Sequence, residues 1–174
     1  MTSQTSITIQ PATYDEIATI VDFITKARAD MFPFLDQSSS DQMAQKELDI
    51  FKDRYLAHPQ GAFLTAYSDG RLIATIGYVA YDGRFSHITL EPENVVEILR
   101  LYVNPGWRRA GLASKLFEML VDTARQSGIK QLYLHTHPFL PNAISFWKRK
   151  GFSVIAIDED PVWQTTHMKR SLED

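Results

Sequence analysis

One stretch limits the folds open to this chain: Val95 to Gly128, VVEILRLYVNPGWRRAGLASKLFEMLVDTARQSG. Val95 to Val103 is apolar apart from Glu97 and Arg100 and reads as a strand. Asn104-Pro105-Gly106 breaks it, because these residues favour turns. Ala113, Leu116, Phe117, Leu120, Val121 and Ala124 then recur by threes and fours, which predicts an amphipathic helix over 110–127. Gly128 stands where a left-handed cap ends a helix. The first helical turn holds no carboxylate, and Arg108 and Arg109 precede it. Free amides and the helix dipole already make that end positive. A polyanion docked on the loop would balance the excess, and Gly111 lets backbone approach it closely. The plainer alternative is a surface loop with two solvated arginines.

A chain of 174 residues suits one domain, 1–174, with a substantial core. A net charge of −3 disfavours nonspecific nucleic-acid binding, which rests on phosphate neutralisation. The absence of cysteine excludes disulfides, zinc–thiolate sites and a thioester on the protein. No apolar run reaches membrane-spanning length, and MTSQTSITIQ lacks the features of a signal peptide. Cytoplasmic localisation is the expectation.

In chain order, Ser6 to Ile9 reads as a first strand, and Thr13 with Glu16 as a capping box. A helix follows, with Ile17, Ile20, Val21, Ile24 and Ala27 on one face. Met31 to Asp36, MFPFLD, contains Pro33 and breaks the helix; it is either a pocket wall or a connector. Ser39 and Gln42 suggest a second box, opening a helix with Met43, Leu48, Phe51 and Tyr55 inward. Ala62–Tyr67 and Leu72–Tyr81 form a hairpin around Asp69-Gly70, and 82–94 reads as a polar loop. Strand 95–103, helix 110–127 and strand 131–136 make a β-α-β crossover with parallel strands. A short helix spans 141–150 with Ala143, Phe146 and Trp147 inward. Strands at 153–157 and 163–168 flank the acidic turn Asp158-Glu159-Asp160-Pro161.

Two motifs now carry a resemblance. Arg108-Arg109-Ala110-Gly111-Leu112-Ala113 matches the pattern R/Q-x-x-G-x-G/A, and Leu101 to Pro105 supplies a matching lead-in. Asn142 to Phe152, NAISFWKRKGF, is similar to a second pattern, A-x-x-(F/L)-Y-x-x-x-G-F after an asparagine. Together, in this element order, they resemble the GCN5-related N-acetyltransferase (GNAT) superfamily over nearly the whole chain, most weakly before Ala62. The resemblance implies an α/β fold with a mixed, mostly antiparallel sheet of about seven strands and about four helices. It implies a bulge in strand 95–103 and a splay between strands 95–103 and 131–136. It also implies acetyl-coenzyme A as co-substrate. The pyrophosphate would sit on the loop formed by Arg108, Arg109, Ala110, Gly111, Leu112, Ala113 and Ser114. The pantetheine arm would pair with backbone near Leu101 and Val103, with Asn142 and Trp147 beside the cofactor.

Direct acetyl transfer needs a neutral amine, a polarised carbonyl and a proton for the leaving thiolate. Glu97, eleven residues before Arg108, is the candidate base, with burial expected to raise its pKa; a structural carboxylate paired with an arginine is the alternative. The family's usual acid, a tyrosine, is replaced by Trp147, whose indole is no acid near neutrality. Water, Tyr102, Tyr133 or His135 would take that task. A backbone N–H near Tyr102 or Val103 would polarise the carbonyl. His135 and His137 share one strand face, on the acceptor side or as structural residues; without a third ligand, no metal is expected. Trp163, Met31, Phe32 and Phe34 are candidates for an apolar acceptor wall, and core packing is their plain reading.

The leading expectation is an acetyl-coenzyme A-dependent N-acetyltransferase acting on a small-molecule amine, as monomer or homodimer, without nucleic acid or membrane. Its rivals are a peptide or protein N-acetyltransferase and a coenzyme A-binding sensor with little catalysis. A nucleotide-binding domain of another α/β type would need a Walker-type lysine and serine or threonine, and the loop has neither in register.

Overall fold

A computed structural model describes residues 6–34 and 40–173. The expected cap at Ser39 lies outside the described residues. Seven strands form one sheet: β1 Ile7–Pro11, β2 Ala62–Ser68, β3 Arg71–Ala80, β4 Val95–Val103, β5 Gln131–Thr136, β6 Ser153–Ile157 and β7 Thr166–Ser171. Four α-helices accompany it: α1 Ile17–Met31, α2 Ser40–Phe51, α3 Leu112–Gln126 and α4 Ala143–Arg149. The strand order is β1-β2-β3-β4-β5-β7-β6, and among the described residues β4–β5 is the one parallel pair. The fold is the mixed, mostly antiparallel sheet expected from the sequence.

Local chemistry explains most boundaries. Thr13 N–H donates to Glu16 Oε1 at 2.9 Å, so the expected box forms, opening a short 3-10 turn ahead of α1. Asp69 and Gly70 both take positive φ, 50° and 76°, the geometry that closes a two-residue hairpin between β2 and β3. Gly128 (φ 75°) follows α3, as its position implied. Two expectations need correction. In α2, Met43 and Leu48 are exposed; Phe51 and Tyr55 alone of that set are buried, Tyr55 on a π-turn over Lys52–Leu56. The last strand begins three residues later than 163–168 implied. Asp160 Oδ1 accepts the amides of Val162 and Trp163, and Gln164 takes a φ of 41°, so the chain is still turning there.

Helices cover both faces. On one, Leu116, Phe117 and Leu120 of α3 pack fully buried over Leu64, Ile76 and Val96, each contributing about 2 kcal/mol. On the other, Ile20, Val21 and Ile24 of α1 and Phe51 and Tyr55 meet Phe63, Leu72 and Val79.

Two features of β4 position the site. Its pairing with β5 runs only through Val95↔Gln131, Val96↔Leu132 and Glu97↔Tyr133. Beyond Glu97 the strands part. Against β3 the register jumps between Gly77↔Leu99 and Thr75↔Tyr102, so one β3 residue faces two on β4. This is a bulge, centred on Arg100 at φ 62°, whose carbonyl accepts from Thr75 Oγ1 at 2.8 Å. The bulge rephases the strand. Leu99 and Tyr102 both pack on the α1/α2 face, while Ile98, Leu101 and Val103 pack on the α3 face.

Gly77 sits opposite the bulge because nothing larger fits. An added Cβ would stand 2.6 Å from Phe63 Cδ2 and 3.0 Å from the Ala62 carbonyl oxygen. Gly77→Ala should therefore cost about 1–3 kcal/mol in urea denaturation; an unchanged midpoint would show that the β2–β3–β4 packing yields there.

Candidate functional site

The basic loop leaves β4 through a 3-10 turn at Pro105–Trp107, where the Asn104 side chain accepts from Gly106 N–H at 3.2 Å. Arg109 (φ 69°) and Gly111 (φ 78°) are both left-handed and flank Ala110. Such alternation turns successive amides toward one concavity. A non-glycine residue held there costs about 1 kcal/mol or more, and such strain gathers at functional sites. Gly111 caps α3, whose first turn carries no acid, and the amides of Leu112, Ala113 and Ser114 lack intrahelical partners by geometry. Arg108, Arg109, Ala110 and Gly111 are exposed, and open space surrounds the Gly111 Cα. Leu112 differs: its side chain is buried in the core, so only its backbone faces the loop. Arg108 folds back, its Nε donating to the Val103 carbonyl at 3.0 Å.

The second motif is also in place. Asn142, exposed at φ 62°, caps α4, and its carbonyl accepts from Phe146 N–H and Ser145 Oγ. Trp147, 7% exposed, packs edge-on against Phe117 at 5.5 Å and Phe152 at 5.4 Å. The indole is a core element joining α4 to α3.

On the α1/α2 face, Glu97 is 2% exposed and gripped from both sides. Arg84, from the loop between β3 and β4, donates Nη1 to Oε1 and Nη2 to Oε2, each at 2.7 Å. Asp82 takes a third hydrogen bond from Arg84 at 3.0 Å. His135 Nδ1 lies 3.2 Å from Glu97 Oε2, but out of line for a hydrogen bond, and this buried nitrogen has no other partner. Burial alone pushes the Glu97 carboxyl up; the bonds from Arg84 and the nearby His135 outweigh it and bring it down to about 2. This overturns the expectation that burial raises Glu97 toward useful basicity. The paired arginine is Arg84, whereas Arg100 pairs with Glu47 at 3.1 Å.

His135 is 30% exposed and lies across the sheet from His167 of β7. His167 is fully buried, and its imidazole is pushed down by that burial, partly opposed by Asp158. Tyr133, another candidate acid, is fully buried and bonds His167 Nδ1 at 2.6 Å; burial raises its pKa above the ordinary phenol value. Asp158 opens the acidic turn after β6 and is not a merely solvated charge. It instead accepts from His87 and His167, and these bonds outweigh partial burial and lower its pKa. Phe32, Phe34 and Trp163 of the expected apolar wall do gather, with His137 and Phe139, at centroid distances from 5.2 to 6.2 Å. Arg84, His87 and His167 were not singled out from the sequence. The only signal for Arg84 and His87 was an arginine and a histidine in a polar loop, and for His167 a histidine in the last strand; they gain meaning once the loop is known to fold over Glu97.

The comparisons with known proteins decide the family. Residues 22–152 match the sequence model of the Acetyltransferase (GNAT) family. The chain belongs to that family. It is 35% identical over 79 residues to the uncharacterized N-acetyltransferase YjgM of Escherichia coli (strain K12), covering 45% of this chain and 47% of that protein. It thus spans about half the length of that curated relative. Among solved structures, a GNAT-family acetyltransferase of Staphylococcus aureus Mu50 superposes with a TM-score of 0.76 at 21% identity, covering 97% of this chain and all of that one. The PaiA N-acetyltransferase of Thermoplasma acidophilum, solved in complex with coenzyme A, gives 0.73 at 18% identity, covering 95% and 99%. The splayed GNAT sheet is therefore shared with proteins of very different sequence. Among the described residues, no helix is long and apolar enough to cross a membrane.

The lowered pKa of Glu97 fixes a sign. Its folded value, about 2, lies below its ordinary 4.5, so the pair's stabilisation is complete above 4.5 and is lost as pH falls toward 2. It is worth roughly 3 kcal/mol at neutral pH. In Glu97→Gln, this part of the acid-induced loss should vanish from urea-denaturation curves taken across that window; identical pH slopes in both proteins would refute the pair.

Proposed function

We infer that this GNAT-family protein is an acetyl-coenzyme A-dependent N-acetyltransferase that passes an acetyl group directly to an amine, with a small molecule as acceptor. The observation that carries the reading is the parting of β4 from β5 after Glu97, with β4 running straight into the left-handed Arg109–Gly111 loop at the start of α3. An extended arm fits a strand edge left without a partner, and a pyrophosphate fits the amides at its end. In this reading Arg109 to Ser114 hold the pyrophosphate, with Arg108 beside it. Backbone of Leu101 and Val103 pairs with the pantetheine arm, and Asn142 stands across the gap. Arg108, folded on the Val103 carbonyl, has to yield that acceptor to the cofactor. Trp147 supports the gap from within the core rather than touching the reacting atoms.

The chemistry follows from what the α1/α2 face offers. The amine nitrogen attacks the thioester carbon, the carbon–sulfur bond breaks, the nitrogen loses a proton and the thiolate gains one. Glu97, held ionised by Arg84, is a weak base, which leaves proton handling to His135 beside it. Imidazole is the side chain best suited to moving protons near neutrality. Tyr102, brought onto the same face by the bulge, is the second proton-handling group. A backbone amide at the bulge polarises the carbonyl.

A cavity of about 290 Å³ between α1 and α2, lined in part by Phe32, Met43, Glu47 and Arg100, adjoins the bulge. Its size supports a small acceptor over a folded protein. In an assay of acetyl-coenzyme A with small amines and peptides, thiol should be released only with certain small amines. Release with peptides alone would transfer the reading to the peptide class, and none with any acceptor would favour a sensor. Gly111→Val should keep the fold and lower acetyl-coenzyme A affinity about tenfold, because the free loop relaxes out of the left-handed form and binding must restore it at about 1–2 kcal/mol. Undiminished binding by calorimetry would remove the loop from the cofactor site.

A further inference from the structure

Beside Glu97 and His135, three ligand-type side chains from three separate elements converge. His87 lies in the β3–β4 loop, Asp158 just follows β6, and His167 is in β7. His87 Nε2 stands 2.9 Å from Asp158 Oδ1, and His167 Nε2 stands 3.1 Å from the same oxygen. Their three donor atoms all lie within 4.8 Å of one another. Ligands bound about 2.0–2.2 Å from one ion are roughly 3–3.5 Å apart. The 3.1 Å separation falls within that spacing and the 2.9 Å one just short of it.

The surroundings have the features of a prepared site. Tyr133 Oη lies 2.6 Å from His167 Nδ1, so the outer nitrogen of this buried ring is engaged and Nε2 is aimed at Asp158. A metal displaces the protons that His87 Nε2 and His167 Nε2 share with Asp158; the His167 proton then sits on Nδ1 and is donated to Tyr133 Oη, the usual way in which a metal-binding imidazole is fixed. The Tyr133 and His167 rings are near-coplanar, at 16°. Phe85 shelters the cluster, its ring 4.9 Å from His167 and 6.2 Å from His87. The deep ligand is fully buried while His87 reaches solvent, which leaves an entry path and room for water at the remaining position.

We propose that His87, Asp158 and His167 bind one divalent transition-metal ion of the zinc class, which clips the β3–β4 loop to the β6–β7 end of the sheet. Two imidazoles and one carboxylate suit zinc, cobalt or nickel, whereas magnesium and calcium take oxygen donors. The clip has a defined beneficiary. Arg84, three residues before His87, reaches from this loop to Glu97. Fixing His87 fixes the approach of Arg84. The site is separate from the His135–His137 pair, and it stands whether or not the chain transfers acetyl groups.

The test uses tag-free, chelator-treated full-length protein near neutral pH. Zn2+ is followed by calorimetry, and Co2+ by its visible ligand-field absorption. The expected result is one equivalent of either ion, a rise in Tm on adding Zn2+, and no displacement of Co2+ by excess Mg2+. His87→Ala and Asp158→Asn should each weaken binding at least about tenfold and abolish the rise in Tm. His87 is exposed, so its variant should fold, as circular dichroism will verify. His58→Ala and His137→Ala should bind as the parent does. Absence of stoichiometric binding by the parent, or undiminished binding by either ligand variant, would overturn the proposal.

Discussion

The structure depends on a strand that changes partners part-way along. β4 is hydrogen-bonded on both sides through Glu97 and on the β3 side alone beyond it. The bulge at Arg100 accompanies the change, held by Thr75, while Gly77 opposite it leaves room for Phe63 of β2. It turns Tyr102 to the α1/α2 face and Leu101 and Val103 to the α3 face. One local irregularity thereby sorts groups suited to proton handling from residues whose side chains belong to the core. The fold surrounds that sorting with a helix layer on either face.

The pairing of buried Glu97 with a partly exposed Arg84 shows why charge at such a site is not a free choice. A carboxylate 2% exposed is costly unless its partners satisfy it. Arg84 meets both oxygens at once, which keeps the group ionised and makes it a poor proton acceptor. The same bond ties an irregular loop to the middle of the sheet. Position and electrostatics are thus coupled: the loop is held because the carboxylate is charged, and the carboxylate stays charged because the loop is held.

Much of this was legible in the sequence. The limits of β4 and β5, the turn at Asp69-Gly70, the parallel crossover and the left-handed Gly128 follow from local pattern, because periodicity and turn chemistry are properties of neighbouring residues. The family motifs added the splay and the bulge. The partners of Glu97 were not legible, since Arg84 sits thirteen positions away in a loop with no periodic signal. The pKa of Glu97 was misjudged for the same reason: burial can be guessed from an apolar strand, and an arginine partner was the alternative, but which arginine meets the carboxylate cannot be read from the sequence. His87, Asp158 and His167 meet only after β6 and β7 have paired, with 71 residues separating the first two. The start of β7 was placed too early because Trp163 and its neighbours have strand-like composition, yet Asp160 captures their amides into a turn.

The brevity of the β4–β5 pairing has a mechanical meaning. Three residue pairs are a thin seam between a four-stranded leaf, β1 to β4, and a three-stranded leaf, β5 to β7. Cohesion between the leaves falls instead to α3, whose Phe117 touches Trp147 and Phe152 on the far side. A molecule seated where the leaves diverge would act as a keystone, completing an interrupted sheet and bracing the two leaves against each other. Occupancy of the cleft and rigidity of the whole protein are then the same physical event.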